Sequence, residues 1–341
     1  MKRHLNTLYV TTPGCYLRKE GEAVVVRLDD ETKAHVPLHN LEGIVCFGNV
    51  LASPYLLGAC GERGIGVSLL SQNGRFLARV QGPTSGNVLL RREQYRRADD
   101  PEASASLARS FLLGKLANTR ASLVRSRREL DEGRKEVSTC AERLRQYLRQ
   151  LEGACDLETL RGIEGTAARE YFAVLGVLVR HQRADFPFTD RNRRPPRDRM
   201  NALLSFLYTL VRHDVASALE GVGLDPAVGF LHRDRPGRPS LALDLMEELR
   251  PWLADRLALS LVNRRQVGRD SFEIQETGGV WLSEEDRKTV LVAYQKRKED
   301  EILHPFLEEK TTVGLVPHLQ ALLLARHLRG DLDAYPPMLW R

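Results

Sequence analysis

Between Thr7 and Val80 the apolar residues arrive in short bursts rich in β-branched types: Leu8-Tyr9-Val10, Val24-Val25-Val26, Ile44-Val45-Cys46-Phe47, Val67-Ser68-Leu69-Leu70 and Phe76-Leu77-Ala78. Gly21, Gly43, Gly64 and an Asn73-Gly74 turn separate them, a pattern that predicts strands, with one short helix near Pro54–Cys60. After Ala103 the apolar spacing changes to three and four. Leu107, Phe111, Leu112 and Leu116 show it, as do Tyr171, Val174, Leu175 and Leu178, then Leu203, Phe206, Leu207 and Leu210, and finally Leu315, Leu319, Leu322 and Leu323. That period predicts helices. Phe272-Glu273-Ile274 and Val280-Trp281-Leu282 flank Thr277-Gly278-Gly279 and read as a hairpin. Gln81–Pro101 opens on Gly, Pro and Ser and closes on Asp-Asp-Pro, which reads as a linker. The expected division is therefore a β domain over 1–82, a linker over 83–102 and a helical domain over 103–341, a length that suits two domains.

Charge adds a polyanionic partner as a candidate without deciding it: the net charge is +6, and only nine of the 51 basic residues are Lys. Arginine's planar fork suits bidentate phosphate contact, although a coding bias would give the same excess. No apolar run approaches the roughly 18 residues of a membrane helix, and Met1–Leu8 lacks the basic flank and apolar core of a signal peptide, so a cytoplasmic chain with no membrane partner is expected. The five cysteines form no CxxC pair, which excludes a disulfide framework or a zinc knuckle.

Candidate chemistry gathers in the helical half. Glu164 stands between Gly162 and Gly165, ahead of a helix expected to begin near Thr166, where the dipole favours its charged form; a plain helix-initiating Glu fits the same residues. His232 closes the run Val228-Gly229-Phe230-Leu231, and a satisfied structural histidine is the bland alternative. In Ser240–Pro251, read as a helix, Leu241, Leu245, Leu249 and Trp252 form an apolar stripe, with Asp244 and Glu247 side by side at its border. Two acids at the edge of a buried face need a cation, and periodicity leaves Glu247 and Glu248 both open. Carboxylates with one imidazole suit Mg²⁺ or Mn²⁺ better than zinc. No P-loop, GxGxxG, GxSxG or HExxH motif occurs, so nucleotide, redox and protease chemistries lose their usual signatures.

The loop Thr189–Arg199 packs Arg191, Arg193, Arg194, Arg197 and Arg199 into nine positions, and Pro195-Pro196 stiffens it, so these arginines are expected to stand outward as DNA-phosphate contacts. A solvated loop is the alternative, with Asp190 and Asp198 in the same loop placed to satisfy some of these arginines internally. Arg120, Arg125, Arg127, Arg128 and Lys296-Arg297-Lys298 read as solvated helix faces. An aromatic content of 6% argues against base stacking and toward backbone reading of duplex.

Taken together these segments resemble the CRISPR-associated adaptation integrase/endonuclease family, the universal spacer-acquisition nuclease. The resemblance rests on Arg161-Gly162-Ile163-Glu164-Gly165 with Ala168 and Tyr171-Phe172, and on Arg194-Pro195-Pro196 with Asp198, Asn201, Ala202, Leu203, Leu204 and Tyr208. It continues through Leu224-Asp225-Pro226, Gly229-Phe230-Leu231-His232 and Ser240–Glu248 with Arg250-Pro251, and Leu5–Val10 is similar to the family's opening strand. The ending Tyr335–Arg341 is similar to the type I-C subtype. The resemblance implies an α+β protein, with a small N-terminal β-sandwich-like domain that dimerises and a larger all-α catalytic domain. It implies Glu164, His232 and Glu247 as metal ligands and Asp244 as an assisting catalytic carboxylate. The implied activity is metal-dependent insertion of short foreign DNA fragments into a CRISPR array by 3′-hydroxyl attack at the repeat, with water giving nuclease activity. The implied partners are double-stranded DNA, a second copy in a homodimer, a small ferredoxin-like adaptation protein and an Fe–S nuclease that trims fragment ends. A repair nuclease acting on branched DNA and a non-catalytic DNA-binding protein remain the alternatives.

Overall fold

The β-branched bursts of the first 80 residues pair into two four-stranded sheets. In chain order the elements are β1 (Thr7–Val10), β2 (Tyr16–Glu20), β3 (Ala23–Leu28), β4 (Glu31–Pro37), β5 (Gly43–Phe47), β6 (Leu51–Ala52), α1 (Pro54–Glu62), β7 (Gly66–Leu70) and β8 (Phe76–Val80). One sheet runs β1-β5-β7-β8, parallel except for β8; the other runs β4-β3-β2-β6. This computed structural model describes residues 7–29, 31–41, 43–72, 76–80, 82 and 88–340 and separates into two units, Met1–Gly86 and Asn87–Arg341. The Asn73-Gly74 turn lies outside the described residues.

Leu17, Val24, Ile44, Cys46, Leu56, Cys60 and Val67 meet in one core drawn from both sheets and α1. Every residue of β5 is buried, as befits a parallel strand covered on both faces. β2 and β4 carry no apolar burst because β2 buries only Leu17 among charged neighbours and β4 is an edge strand of partly or fully exposed residues. α1 starts where expected, with Ser53 Oγ accepting from Leu56 N–H at 3.2 Å and Pro54 in the first turn.

The second unit holds α2 (Val88–Asp99), α3 (Pro101–Ser126), α4 (Arg134–Gly153), α5 (Leu157–Leu175), α6 (Arg199–Gly221), α7 (Ser240–Met246) and α8 (Arg256–Asn263). A hairpin of β9 (Phe272–Ile274) and β10 (Val280–Leu282) follows, then α9 (Glu284–Glu299), a second hairpin of β11 (Glu301–Leu303) and β12 (Lys310–Thr312), and α10 (Val316–Leu328). The second hairpin has no sequence signal, and the two hairpins make the unit mainly rather than wholly helical. No helix among the described residues is long and apolar enough to cross a membrane.

Three boundaries differ from the sequence pattern. The stretch expected as a linker is helical from Val88 to Asp99, with Leu90 and Gln94 buried, and Asp100 caps α3 by accepting from Glu102 N–H at 2.9 Å. Asp-Asp-Pro is thus a junction between two helices. α5 begins at Leu157, capped by Asp156 Oδ1 accepting from Thr159 N–H at 2.8 Å, so Glu164 sits in mid-helix and the dipole argument does not apply to it. Gly162 and Gly165 are helix-interior glycines facing open space, each at a cost of about 1 kcal/mol relative to Ala. The expected helix over Ser240–Pro251 ends at Met246, and Arg250–Asp255 is a π-helical stretch before α8. Its apolar stripe survives the break, because Leu241, Leu245, Leu249 and Trp252 are all fully buried.

Candidate metal centre

α7 contributes Asp244, and the loop before it closes onto that carboxylate. Phe230 and Leu231 N–H groups donate to Asp244 Oδ2 at 2.6 and 3.0 Å, and His232 N–H donates to Oδ1 at 3.0 Å. His232 Nδ1 lies 2.6 Å from the same Oδ1. An ionised carboxylate only accepts, so Nδ1 carries a proton and a neutral ring keeps Nε2 as its acceptor. Asp244 has no exposed surface, whereas the His232 side chain is 21% exposed, with Nε2 turned 3.9 Å from Glu247 Oε1. Asp244 therefore acts on the ring, fixing its tautomer and direction.

Glu247 follows α7 and Glu164 reaches in from α5. Between them stands the Lys115 ammonium of α3, which donates to Glu164 Oε1 and pairs with Glu247 Oε2 at 2.8 Å. Arg250 Nη1 takes the other Glu247 oxygen, Oε1, at 2.6 Å. Burial alone would raise the Glu247 pKa, but Arg250, Lys115 and His232 outweigh it and hold the carboxyl low, at about 2. Burial likewise works against the charged Lys115, yet Glu247 and Glu164 leave its pKa raised.

This donor set fits a hard divalent cation. Two carboxylates converge on one positive charge beside an imidazole nitrogen, and Glu247 Oε2 is a buried oxygen whose one close partner is the Lys115 ammonium. Among the described residues no three His, Cys, Asp or Glu side chains are grouped so as to hold an ion by themselves. Glu248, which periodicity could not separate from Glu247, points elsewhere. It accepts from Tyr335 OH, from Gln320 Nε2 at 3.0 Å and from Met338 N–H at 2.8 Å, and burial pushes its carboxyl up to about 7 despite those donors.

Arg250 continues the site outward, lying 4.9 Å from the Tyr208 ring centre. Tyr208 and Tyr171 hydroxyls donate to Asp255 at 2.7 and 2.9 Å. Asp255 is fully desolvated, which raises its carboxyl to about 6 against the opposing pull of those hydroxyls and of Arg250 and Arg191. Lys115 and Glu164 form part of the wall of a cleft of about 730 Å³, whose lining also includes Arg191, Arg193, Arg194, Arg212, Arg235, Arg238 and Arg250.

The arginine loop does not stand outward as a set. Arg191 stacks 5.3 Å from the Tyr208 ring and donates to Asn201 Oδ1 at 2.6 Å and Ser205 Oγ at 3.0 Å. Arg199 donates to Asp185 O at 2.8 Å and Arg269 O at 3.3 Å. Those two are tied inward by carbonyl and hydroxyl acceptors, while Arg193, Arg194 and Arg197 are exposed and the first two face the cleft. The structure thus brings Glu164, His232, Asp244 and Glu247 together and splits the arginines. Lys115 and Asp255 are the members that sequence reasoning missed. Lys115 had a signal: it is a lone charge on the apolar face of Leu107, Phe111, Leu112 and Leu116.

Residues 8–296 match the family described as "CRISPR associated protein Cas1". The chain is 54% identical to "CRISPR-associated endonuclease Cas1 1" of Chlorobaculum tepidum and 56% identical to "CRISPR-associated endonuclease Cas1 2" of Rhodospirillum rubrum, in both cases over 100% of each chain. It is 36% identical to a "CRISPR-associated exonuclease Cas4/endonuclease Cas1 fusion" of Geobacter sulfurreducens, over 98% of this chain and 60% of that one. Among solved structures, a CAS1 protein from Thermotoga maritima superposes with a TM-score of 0.81 at 25% identity, covering 95% of this chain and 97% of that one. A "casposase bound to integration product" gives 0.84 at 21% identity, covering 98% and 94%. A "Cas6-RT-Cas1--Cas2 complex" chain also gives 0.84, at 22% identity, covering 100% of this chain and 36% of that one.

Proposed function

Because the chain belongs to the CRISPR-associated Cas1 family, we propose that it is a divalent-cation-dependent DNA endonuclease and integrase of CRISPR adaptation. One observation carries the reading: Glu164 and Glu247 share a single cation beside a histidine ring pinned by Asp244, at the wall of an arginine-lined cleft. Glu164, Glu247 and His232 Nε2 are the ligands for Mg²⁺ or Mn²⁺. When bound, the ion supplies Lewis-acid stabilisation of the charge that develops on the attacked phosphate. Asp244 holds the imidazole in the tautomer that leaves Nε2 as acceptor, so the third ligand is oriented in advance. Arg193 and Arg194, exposed at the cleft, hold duplex phosphates by charge, and Arg250 keeps Glu247 ionised.

The 3′-hydroxyl of a short DNA fragment attacks a phosphodiester at the repeat. A new phosphorus–oxygen bond forms, the bond to the strand's own 3′-oxygen breaks, and that oxygen leaves with a proton; water in place of the hydroxyl gives cleavage. The partners are a second copy joined through the 1–82 domain and a small ferredoxin-like adaptation protein, a role supported by the complex with Cas2 among fold relatives. The relative fused to a Cas4 exonuclease supports an Fe–S nuclease that trims fragment ends.

The test is fragment integration and strand cleavage with Mn²⁺, with the small partner supplied, by the wild type and by His232→Ala. Loss of both activities in the variant is expected; equal activity would remove the site assignment. If integration stays absent in the wild type while branched DNA is cut, a repair nuclease is the better reading.

A further inference from the structure

Both oxygens of Glu247 are committed to cationic side chains, Oε1 to Arg250 at 2.6 Å and Oε2 to Lys115 at 2.8 Å. Lys115 also holds Glu164, so a divalent ion seated between the two carboxylates competes with these two cations for the same oxygens. They are not equally easy to move. Arg250 is held by the contact of its Nη1 with Glu247 Oε1 and by stacking on Tyr208 at 4.9 Å, and it sits on the buried π-helical stretch. Lys115 is a point charge on a flexible four-carbon stem, its side chain 14% exposed, and it already lines the cleft.

From this geometry we infer that Lys115 is a built-in counter-cation that occupies the place of the divalent ion and leaves it when the ion binds, swinging into the cleft to meet a DNA phosphate. The inference rests on the cation site proposed above and goes beyond it, because it makes the ion-free state a closed state of the site. In that state the ammonium keeps two carboxylates from repelling each other in a poorly hydrated place. Charge stays balanced in the exchange: the positive charge that Lys115 withdraws from the acids is offered to the polyanion in the cleft. Only the fraction of molecules with Lys115 out competes for the ion, so apparent ion affinity is lowered by that fraction.

The decisive measurement is direct Mn²⁺ binding, by the electron paramagnetic resonance signal of free Mn²⁺, to the full-length wild type, Lys115→Met and His232→Ala. Binding to Lys115→Met that is about tenfold tighter or more is the expected result, with His232→Ala weaker than wild type. Wild-type binding as tight as that of Lys115→Met, or tighter, overturns the inference and leaves the cation site standing. Absence of binding in both proteins overturns the inference and the site together. A second readout needs no substitution. Amine acetylation of the wild type, read residue by residue by mass spectrometry, is expected to find Lys115 protected without Mn²⁺ and modified faster with it, while exposed Lys135 and Lys296 stay constant as references. Unchanged or slower modification of Lys115 at saturating Mn²⁺ overturns the inference even if Lys115→Met does not fold.

Discussion

Gly229 has no room for a side chain: a Cβ there would stand 2.7 Å from Asp244 Oδ2 and 2.8 Å from the Ser240 carbonyl carbon. The loop that carries His232 reaches the Asp244 carboxylate only because nothing separates the two backbones. Gly229→Ala is therefore expected to lower stability by about 1–3 kcal/mol and to reduce Mn²⁺-dependent cleavage. Urea unfolding and a nicking assay check it; wild-type cleavage would mean that this close approach does not set the loop. Asp244→Asn probes the same clamp by chemistry instead of bulk. Four donors point at one carboxylate, and an amide can accept at one oxygen only, so part of the set is left unpaired and the ring is no longer fixed. Ion affinity is expected to fall about 10–100-fold, measured by Mn²⁺ titration, and unchanged affinity would assign Asp244 a purely architectural role.

At the scale of elements, α7 and the loop before Asp198 show what a local pattern can and cannot reveal. The apolar stripe of Leu241, Leu245, Leu249 and Trp252 is legible because burial follows helical spacing, and Asp244 and Glu247 are legible as acids on its border. Which acid faces the site is not, since Glu248 is drawn away by Tyr335 and Met338, about a quarter of the chain further on, and no local window reaches that far. The start of α5 is hidden because two interior glycines look like a boundary, while the actual cap is Asp156. The arginine loop is legible as charge but not as orientation, for Asn201, Ser205 and the Asp185 carbonyl decide which arginines turn inward. That division is measurable. Neutralising Arg193, Arg194 and Arg197 together is expected to reduce the slope of log affinity against log salt by up to about 0.9 for each phosphate that is no longer neutralised, with little change in stability. Arg191→Ala and Arg199→Ala are expected to lower the unfolding midpoint and leave the slope nearly unchanged. Fluorescence anisotropy on a duplex over a salt series, with thermal melts beside it, separates the two groups; equal slopes in all variants would discard phosphate binding by this loop.

Across the whole molecule the basic surplus of +6 conceals a different electrostatic feature, two acids sealed in the helical unit. Asp255 and Glu248 are fully buried, and their carboxyls are raised to about 6 and about 7 from ordinary values of 3.8 and 4.5. A carboxyl with a raised folded pKa binds more protons folded than unfolded between its two values. Stability therefore falls as pH rises through that window and levels off above it, the reverse of the behaviour of a salt-bridged carboxylate. Each acid accounts for about 3 kcal/mol at one pKa unit per 1.36 kcal/mol, so the helical unit is expected to lose resistance to urea steadily from about pH 4 to about pH 7. Glu247, held low at about 2, adds the opposite slope only below its ordinary value of 4.5 and leaves this window to the other two. Asp255→Asn keeps an acceptor for one tyrosine hydroxyl and removes the titration, so its stability relative to wild type should improve from pH 4 to pH 6 and then stay level. Urea unfolding followed by helical circular dichroism at fixed ionic strength gives that difference directly; a difference that is flat, or that widens in favour of the wild type as pH rises, would mean that Asp255 is ionised and fully compensated by Arg250 and Arg191.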